Sequence, residues 1–168
     1  MKTVSLFLAL LLASVSLGRA ASYFDNNPAD VYLNVFNPSY TGTFDIAAAG
    51  YNPGLETISS ALAAFELWDL ALSESLTIKF GAETFASSGS FSGYITLSGS
   101  VVGTAFGTLD STGILSYTVY RDSGAFWLTN ARLDVETTPR NVADSGSSIA
   151  LLGFAVAGLA IIRRRSAK

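Results

Sequence analysis

The chain has 168 residues and a formal net charge of −3, and it contains neither histidine nor cysteine. Hydrolytic mechanisms that depend on Ser–His–Asp, Cys–His or zinc-bound water are therefore excluded by composition, and we expect no enzyme activity and no cofactor. Disulfide bonds are excluded as well, so a folded domain must be held together by its apolar core.

The N-terminus has the layout of a secretory signal peptide. Lys2 supplies a positive n-region, and the following stretch Val4–Ala13 is apolar apart from one serine. Gly18 and Ala20 are small residues at the −3 and −1 positions of a cleavage site. A core helix is the alternative, but a helix that is apolar on every side has nothing to pack against it here. The sequence predicts export, with signal peptidase and the export machinery as partners and a mature chain that begins near Ala21.

The middle of the chain is more acidic than the chain as a whole. Between Ala21 and Arg140 there are four basic and twelve acidic residues, which gives this part a net charge of −8. An acidic domain repels the phosphate backbone, so we do not expect it to bind nucleic acid.

Between Tyr23 and Glu136 apolar residues recur with a period of two, which is typical of β-strands buried on one face. The most regular stretches are 75–80, 114–120 and 131–137, and 30–36, 41–48 and 94–103 are similar. The side chains that we expect in the core are Leu76, Ile78, Phe80, Leu115, Val119, Leu133 and Val135. Residues 56–70 suit a helix or a strand; we favour a strand, because the neighbours are strands and its start is β-branched.

Polar stretches rich in glycine predict turns between these strands. They lie at 51–54, 87–93, 110–113 and 121–124. Seven or eight short strands at this spacing predict an all-β ectodomain with an antiparallel β-sandwich or jelly-roll fold. The stretch Thr137–Asn141 has no apolar pattern and is interpreted as a short tether to the tail.

Three sets of residues in this domain are candidate sites. Asp69 and Glu74 flank a predicted loop and could offer oxygen ligands to Ca²⁺, but a tight site needs more ligands and two solvated carboxylates are favoured. A carboxylate pair could hydrolyse glycosides, yet the scattered acids single out no pair. An aromatic platform for sugars is the third, although core packing explains most of its members: Trp68, Tyr94, Tyr117, Tyr120 and Trp127.

The chain ends with an apolar stretch followed by arginines. Ile149–Ile162 is fourteen apolar or small residues long, and extension back to Gly146 gives about 25 Å of helix for a hydrocarbon core of roughly 30 Å. This predicts a short transmembrane helix, with Arg163, Arg164 and Arg165 on the cytoplasmic side. The predicted segments are a signal peptide 1–20, the β domain 21–138, a linker with a motif 139–148, the transmembrane helix 149–162 and a basic tail 163–168.

This C-terminal pattern resembles the sorting signals of the PEP-CTERM class, which are recognised by exosortases. Val142, Asp144, Ser145 and Gly146 match the VPDSG variant of that signal, and Ala143 stands where the variant has proline. The resemblance implies transient membrane anchoring and then removal of the tail by a membrane-embedded cysteine peptidase. A permanent single-span anchor is the alternative.

Residues 44–80 resemble, more loosely, ectodomains that accompany such tails, most of them of unknown activity. We therefore favour a non-enzymatic protein that is sorted to the surface or extracellular matrix of a Gram-negative-type bacterium, with an exosortase and the membrane as partners. The alternative is a membrane-anchored carbohydrate-binding or adhesion module that binds extracellular polysaccharide. An exposed row of aromatic residues on one face of a sheet would favour the alternative, and a deep cleft with two carboxylates would favour a hydrolase.

Overall fold

The computed structural model describes residues 20–140, except the side chains of residues 70–73. The elements in this range, numbered in chain order, are β1 (Ser22–Leu33), β2 (Ser39–Asp45), β3 (Glu56–Phe80), β4 (Glu83–Ser100), α1 (Gly103–Thr112), β5 (Ile114–Ser123) and β6 (Phe126–Pro139). The predicted all-β class is confirmed. Among residues 20–140, no helix has the length and apolar character that a membrane span requires.

The six strands form one antiparallel sheet in which the long strand β3 is central. The first half of β3 pairs with β6 and its second half pairs with β5, while β4 pairs along the opposite edge. Beyond these, β1 pairs with β6 and β2 pairs with β5. The sheet curls until β1 and β2 meet, where the Asp45 amide donates to Asp25 Oδ2 at 2.6 Å.

The inward side chains of this curled sheet form one apolar core. All seven residues predicted for the core are buried, with at most 5% of their surface exposed. Tyr117 lies at its centre, with ring centroids 4.7 Å from Phe44 and 5.1 Å from Phe65. The register inferred from the period of two is therefore confirmed for 75–80, 114–120 and 131–137.

Two predicted breaks in the sheet lie inside strands instead. The predicted loop after Asp69 belongs to β3, and the predicted turn at 87–93 belongs to β4. The two strands shift register by a bulge where Asp69 pairs with Gly93 and Glu74 pairs with Phe91. Gly93 adopts a φ of +72° at this point, so its conformational freedom serves a bulge and not a turn.

The helix α1 was missed by the sequence analysis, which placed a turn at its C-terminal end. Its Ala105 and Leu109 are one turn apart and are both buried against the sheet. At its N-terminus, the amides of Thr104 and Ala105 donate to the Glu83 carboxylate at 3.1 and 3.4 Å. Gly113 ends the helix with a φ of +73° and donates to the Leu109 carbonyl. The partner that satisfies the first turn thus comes from another element.

The segment interpreted as a tether is folded as far as Arg140. Residues 137–139 belong to β6, and Thr137 is buried. The Arg140 amide donates to the Leu55 carbonyl at 2.7 Å, and Arg140 Nε donates to Thr57 Oγ1 at 3.0 Å. The tether interpretation was therefore wrong for residues 137–139, because strand pairing with β3 orders a stretch that has no apolar pattern.

Candidate functional site: an aromatic row on the outer face

Four aromatic residues lie side by side across four neighbouring strands. Tyr32 on β1 pairs with Trp127 on β6, Trp127 pairs with Trp68 on β3, and Trp68 pairs with Tyr94 on β4. We call these four residues the aromatic row. Trp68 and Trp127 each stand between two buried residues, and Tyr32 and Tyr94 are more exposed than their neighbours along the strand, so all four lie on the outer face of the sheet.

The rings contact each other in pairs and remain open to solvent. The centroids of Tyr32 and Trp127 are 5.0 Å apart, and those of Trp68 and Tyr94 are 6.5 Å apart, with interplanar angles of 36° and 41°. Tyr94 is 71% exposed and Tyr32 is 42% exposed, while the two tryptophans are half-buried. Such a row combines cross-strand stabilisation with a large apolar surface that water still reaches.

A bulge in β6 puts Trp127 on the outer face. Ala131 pairs with Phe65 and Leu128 pairs with Leu67, so β6 advances three residues where β3 advances two. Both Leu128 and Ala131 are consequently buried, although an odd number of steps separates them. Without the additional residue, the alternation of the strand would turn Trp127 towards the core.

The side chain of Thr129 holds this bulge against β3. Its hydroxyl donates to the Glu66 carbonyl at 3.0 Å. On the other side of β6, the register of β1 shifts between Pro28 and Val31, and Asp30 there has a φ of 45°. Among the described residues, Asp30 is the one non-glycine residue with a positive φ. Irregular backbone therefore flanks the aromatic row on neighbouring strands, a feature that is common next to functional sites.

A second row of residues, with polar side chains, lies next to the aromatic row on the same face of the sheet. Glu66 on β3 pairs with Thr96 on β4 and with Asn130 on β6. Asn130 is fixed by its Nδ2 atom, which donates to Asn26 Oδ1 at 2.9 Å. A carboxylate, a hydroxyl and an amide are thus placed along one side of the row.

The other members of the predicted platform lie elsewhere. Tyr117 is fully buried in the core, where burial raises its pKa. Tyr120 is on β5, where its ring lies 5.5 Å from Lys79 Nζ and outside the row. Sequence reasoning missed Tyr32, because only strand pairing brings β1 beside β6; its position in a predicted strand was the one available clue.

The calcium candidates are buried and do not lie in a loop. Asp69 is 8% exposed and Glu74 is 3% exposed, and both belong to β3. The interpretation as two solvated carboxylates was therefore wrong, because a continuous, bulged strand carries both residues into the interior. Within residues 20–140, no group of three or more His, Cys, Asp or Glu side chains could hold a metal ion.

Most residues assigned to export and sorting lie outside the described range. Ala20, at the predicted cleavage site, is the first described residue and is exposed, whereas Gly18 lies before the described range. The predictions for the tail all lie beyond residue 140 and thus outside the described range: the sorting motif Val142–Gly146, the transmembrane helix and Arg163–Arg165.

Residues 142–166 match the family model for the VPDSG-CTERM motif. The tail carries a VPDSG-CTERM motif. The resemblance drawn from Val142–Gly146 and the arginine cluster is thereby confirmed for the C-terminal signal. Comparison with curated proteins gives no match to this sequence.

Solved structures with similar backbones are distant in sequence. Dimeric latent PorU from Porphyromonas gingivalis is 9% identical with a TM-score of 0.46, and the match covers 73% of this chain and 13% of PorU. The carbohydrate-binding module CBM6cm-2 from Cellvibrio mixtus lichenase 5A is 14% identical with a TM-score of 0.34, over 70% of this chain and 86% of the module. The C-terminal CBM6 of LamC from Zobellia galactanivorans is 13% identical with a TM-score of 0.33, over 68% and 98%. The chain thus spans about an eighth of the length of PorU and most of each module.

Proposed function

We propose that this chain is a non-enzymatic exported protein, sorted and processed by an exosortase through its C-terminal signal. The match of residues 142–166 to the VPDSG-CTERM motif carries the proposal. A signal peptide over residues 1–20 would start export, and Arg163–Arg165 would stop the chain with the motif outside and the helix Ile149–Ile162 in the bilayer. Cleavage of the tail would then deliver the domain to the cell surface or extracellular matrix.

The position of the motif fits processing close to the folded domain. The chain is hydrogen-bonded to the domain up to Arg140, and Val142 follows two residues later. Two residues span at most about 7 Å, so a peptidase that recognises the motif would work close to the end of the domain that carries Leu55 and Arg140. Nine residues from Arg140 to Ile149 span at most about 32 Å, which keeps this end near the membrane before cleavage.

The sandwich or jelly-roll description of the domain is part of the same proposal. It is supported by the way in which β3 changes partners along its length, from β6 in its first half to β5 in its second half. The strand pairs β1–β6 and β2–β5 thereby extend from opposite halves of β3, with the core between them.

A second candidate function is a membrane-anchored carbohydrate-binding or adhesion module, with extracellular polysaccharide as its partner. The aromatic row favours this candidate, because it is an exposed line of rings on one face of the sheet. The two functions are compatible, since sorting concerns the tail and carbohydrate binding concerns the domain.

The test of the sorting proposal is a pair of double variants in a host with an active matching exosortase. Asp144→Ala with Ser145→Ala alters the motif, and Ser147→Ala with Ser148→Ala is the matched control outside it. The first variant should be exported and folded but accumulate uncut in the membrane fraction, whereas the control should be processed like the native protein. Mass spectrometry of both termini gives the readout.

A native protein that stays at full length in the membrane of that host would refute sorting and leave a permanent anchor. Equal processing of the two double variants would refute the assignment of the motif.

A further inference from the structure

We propose that the aromatic row binds a neutral polysaccharide chain that lies across the strands, with its sugar rings over the four aromatic rings. This inference deepens the second candidate function and rests on it. It assigns a ligand class and an orientation to the row.

The length and openness of the row favour a chain over a single sugar. Tyr32 and Tyr94 are separated by three strand-to-strand steps of about 4.8 Å, so the row is roughly 14 Å long and exceeds one sugar ring. Both end residues are well exposed, and neighbouring rings are tilted by 36° and 41° instead of standing edge to face. The exposed rings therefore form an open line, on which the C–H faces of successive sugars can pack.

The polar residues beside the row fit the hydroxyl groups of such a chain. Glu66, Thr96 and Asn130 occupy one register step and run parallel to the aromatic row. The Glu66 carboxylate accepts hydrogen bonds, and the Thr96 hydroxyl both donates and accepts them. Asn130 supports this polar step from within, because its Nδ2 atom donates to Asn26 and its Oδ1 atom is buried. A sugar that lies flat on the rings directs its hydroxyl groups sideways, towards this polar step.

The charges around the row favour a neutral chain. Glu66 and Asp30 are the nearest acidic residues along β3 and β1 that are not buried, since Asp69 beside Trp68 is 8% exposed. Arg132 lies further along β6, and its Nε atom is 3.1 Å from Asp134 Oδ2, so its charge is balanced. A polysaccharide with uronate or sulfate groups would meet net repulsion from this surface, and the repulsion would be strongest at low salt.

Stabilisation of the sheet is the other role that a row of cross-strand aromatic pairs can have. Tyr94 separates the two roles, because it is 71% exposed and contributes little buried surface. Its removal should weaken ligand binding and leave the unfolding midpoint unchanged. Tyr120 is a matched control, since it is an exposed tyrosine on β5 outside the row.

The two tryptophans of the chain provide a site-specific probe, because both belong to the aromatic row. The full chain in detergent is titrated with neutral hexasaccharides of glucose, mannose and N-acetylglucosamine, and with the hexasaccharide of galacturonic acid. We expect at least one neutral ligand to change the tryptophan emission, and the acidic ligand to bind more weakly at low salt. Tyr94→Ser should weaken neutral binding about tenfold, as expected for an interface aromatic, and Tyr120→Ser should not.

The outcomes distinguish the inference from the function on which it rests. Tighter binding of the galacturonic acid ligand would overturn the neutral class and leave carbohydrate binding intact. Unchanged binding by Tyr94→Ser would overturn the row as the site. Binding of none of the four ligands would overturn the inference and the second candidate function together, without bearing on the sorting of the tail.

Discussion

Gly42 on β2 lies directly beneath the ring of Tyr117 on β5, and Gly42→Ala tests how tightly this part of the core is packed. A Cβ atom at residue 42 would overlap the Oη and Cζ atoms of Tyr117 and approach Cε1 to 2.9 Å. The ring cannot move freely, because it is fully buried and the rings of Phe44 and Phe65 pack against it. The substitution should therefore strain the centre of the core.

Two effects of opposite sign decide how much Gly42→Ala changes the free energy of unfolding. The backbone of Gly42 is outside the positive-φ region, so alanine alone should stabilise the protein by about 0.4–1 kcal/mol through the unfolded chain. Overpacking of a buried site costs about 1–3 kcal/mol. We expect the free energy of unfolding to fall by about 1–2 kcal/mol, which lowers Tm by roughly 3–10 °C for a domain of this size.

The assay is urea unfolding followed by tryptophan fluorescence, with a thermal melt followed by circular dichroism. Gly107→Ala on α1 is the matched control, because nothing lies within 4 Å of the position that its Cβ atom would take and alanine favours a helix by about 0.5–1 kcal/mol. On a Tyr117→Leu background, most of the cost of Gly42→Ala should disappear. A Gly42→Ala protein that is as stable as the native one would refute the packing argument.

Three further predictions concern Glu83 at the N-terminus of α1, Asp110 near the C-terminus of α1, and the arginines of the tail. Hydrogen bonds from Thr104 hold the pKa of Glu83 below its usual range, so Glu83 stabilises the fold above pH ~4 and loses this effect as the pH falls through its lowered pKa. Glu83→Gln should therefore make the free energy of unfolding fall less steeply as the pH is lowered below about 4. The same steepness in the variant and the native protein would contradict this. Asp110→Ala should lower the free energy of unfolding by about 2–3 kcal/mol in urea, because it leaves the Ile58 amide, now 2.7 Å from Asp110 Oδ1, without its acceptor; an unchanged midpoint would count against it. Replacement of Arg163–Arg165 by neutral residues should let uncut tail cross the bilayer, which protease protection would detect, and a tail that stays anchored would argue against their role.

The sequence by itself determined the strand class and the inner face of the sheet. Leu76, Leu115 and Leu133 could be assigned to the core, because a period of two is a local property that needs no knowledge of strand pairing. The tail signal was accessible for a similar reason: Val142–Gly146, the apolar stretch and the arginines form a linear pattern, which the family match confirms.

Tertiary structure decided the lengths of the elements. The glycines and serines of 87–93 signal a turn locally, but pairing with β3 keeps them in a strand and uses Gly93 in a bulge. The helix α1 is short and has no capping side chain of its own, so the carboxylate of Glu83 has to reach its first turn from β4. Neither interaction can be recognised in a window of neighbouring residues.

Tertiary structure also decided the candidate site. Trp68, Trp127 and Tyr94 could be named from the sequence, but Tyr32 joins them only through the pairing of β1 with β6. The direction of Trp127 depends on one additional residue at Thr129, because a shift of one residue turns every side chain beyond the bulge to the other face of the sheet. A surface assembled across strands is set by register, and register is fixed by pairing between segments that are distant in the chain.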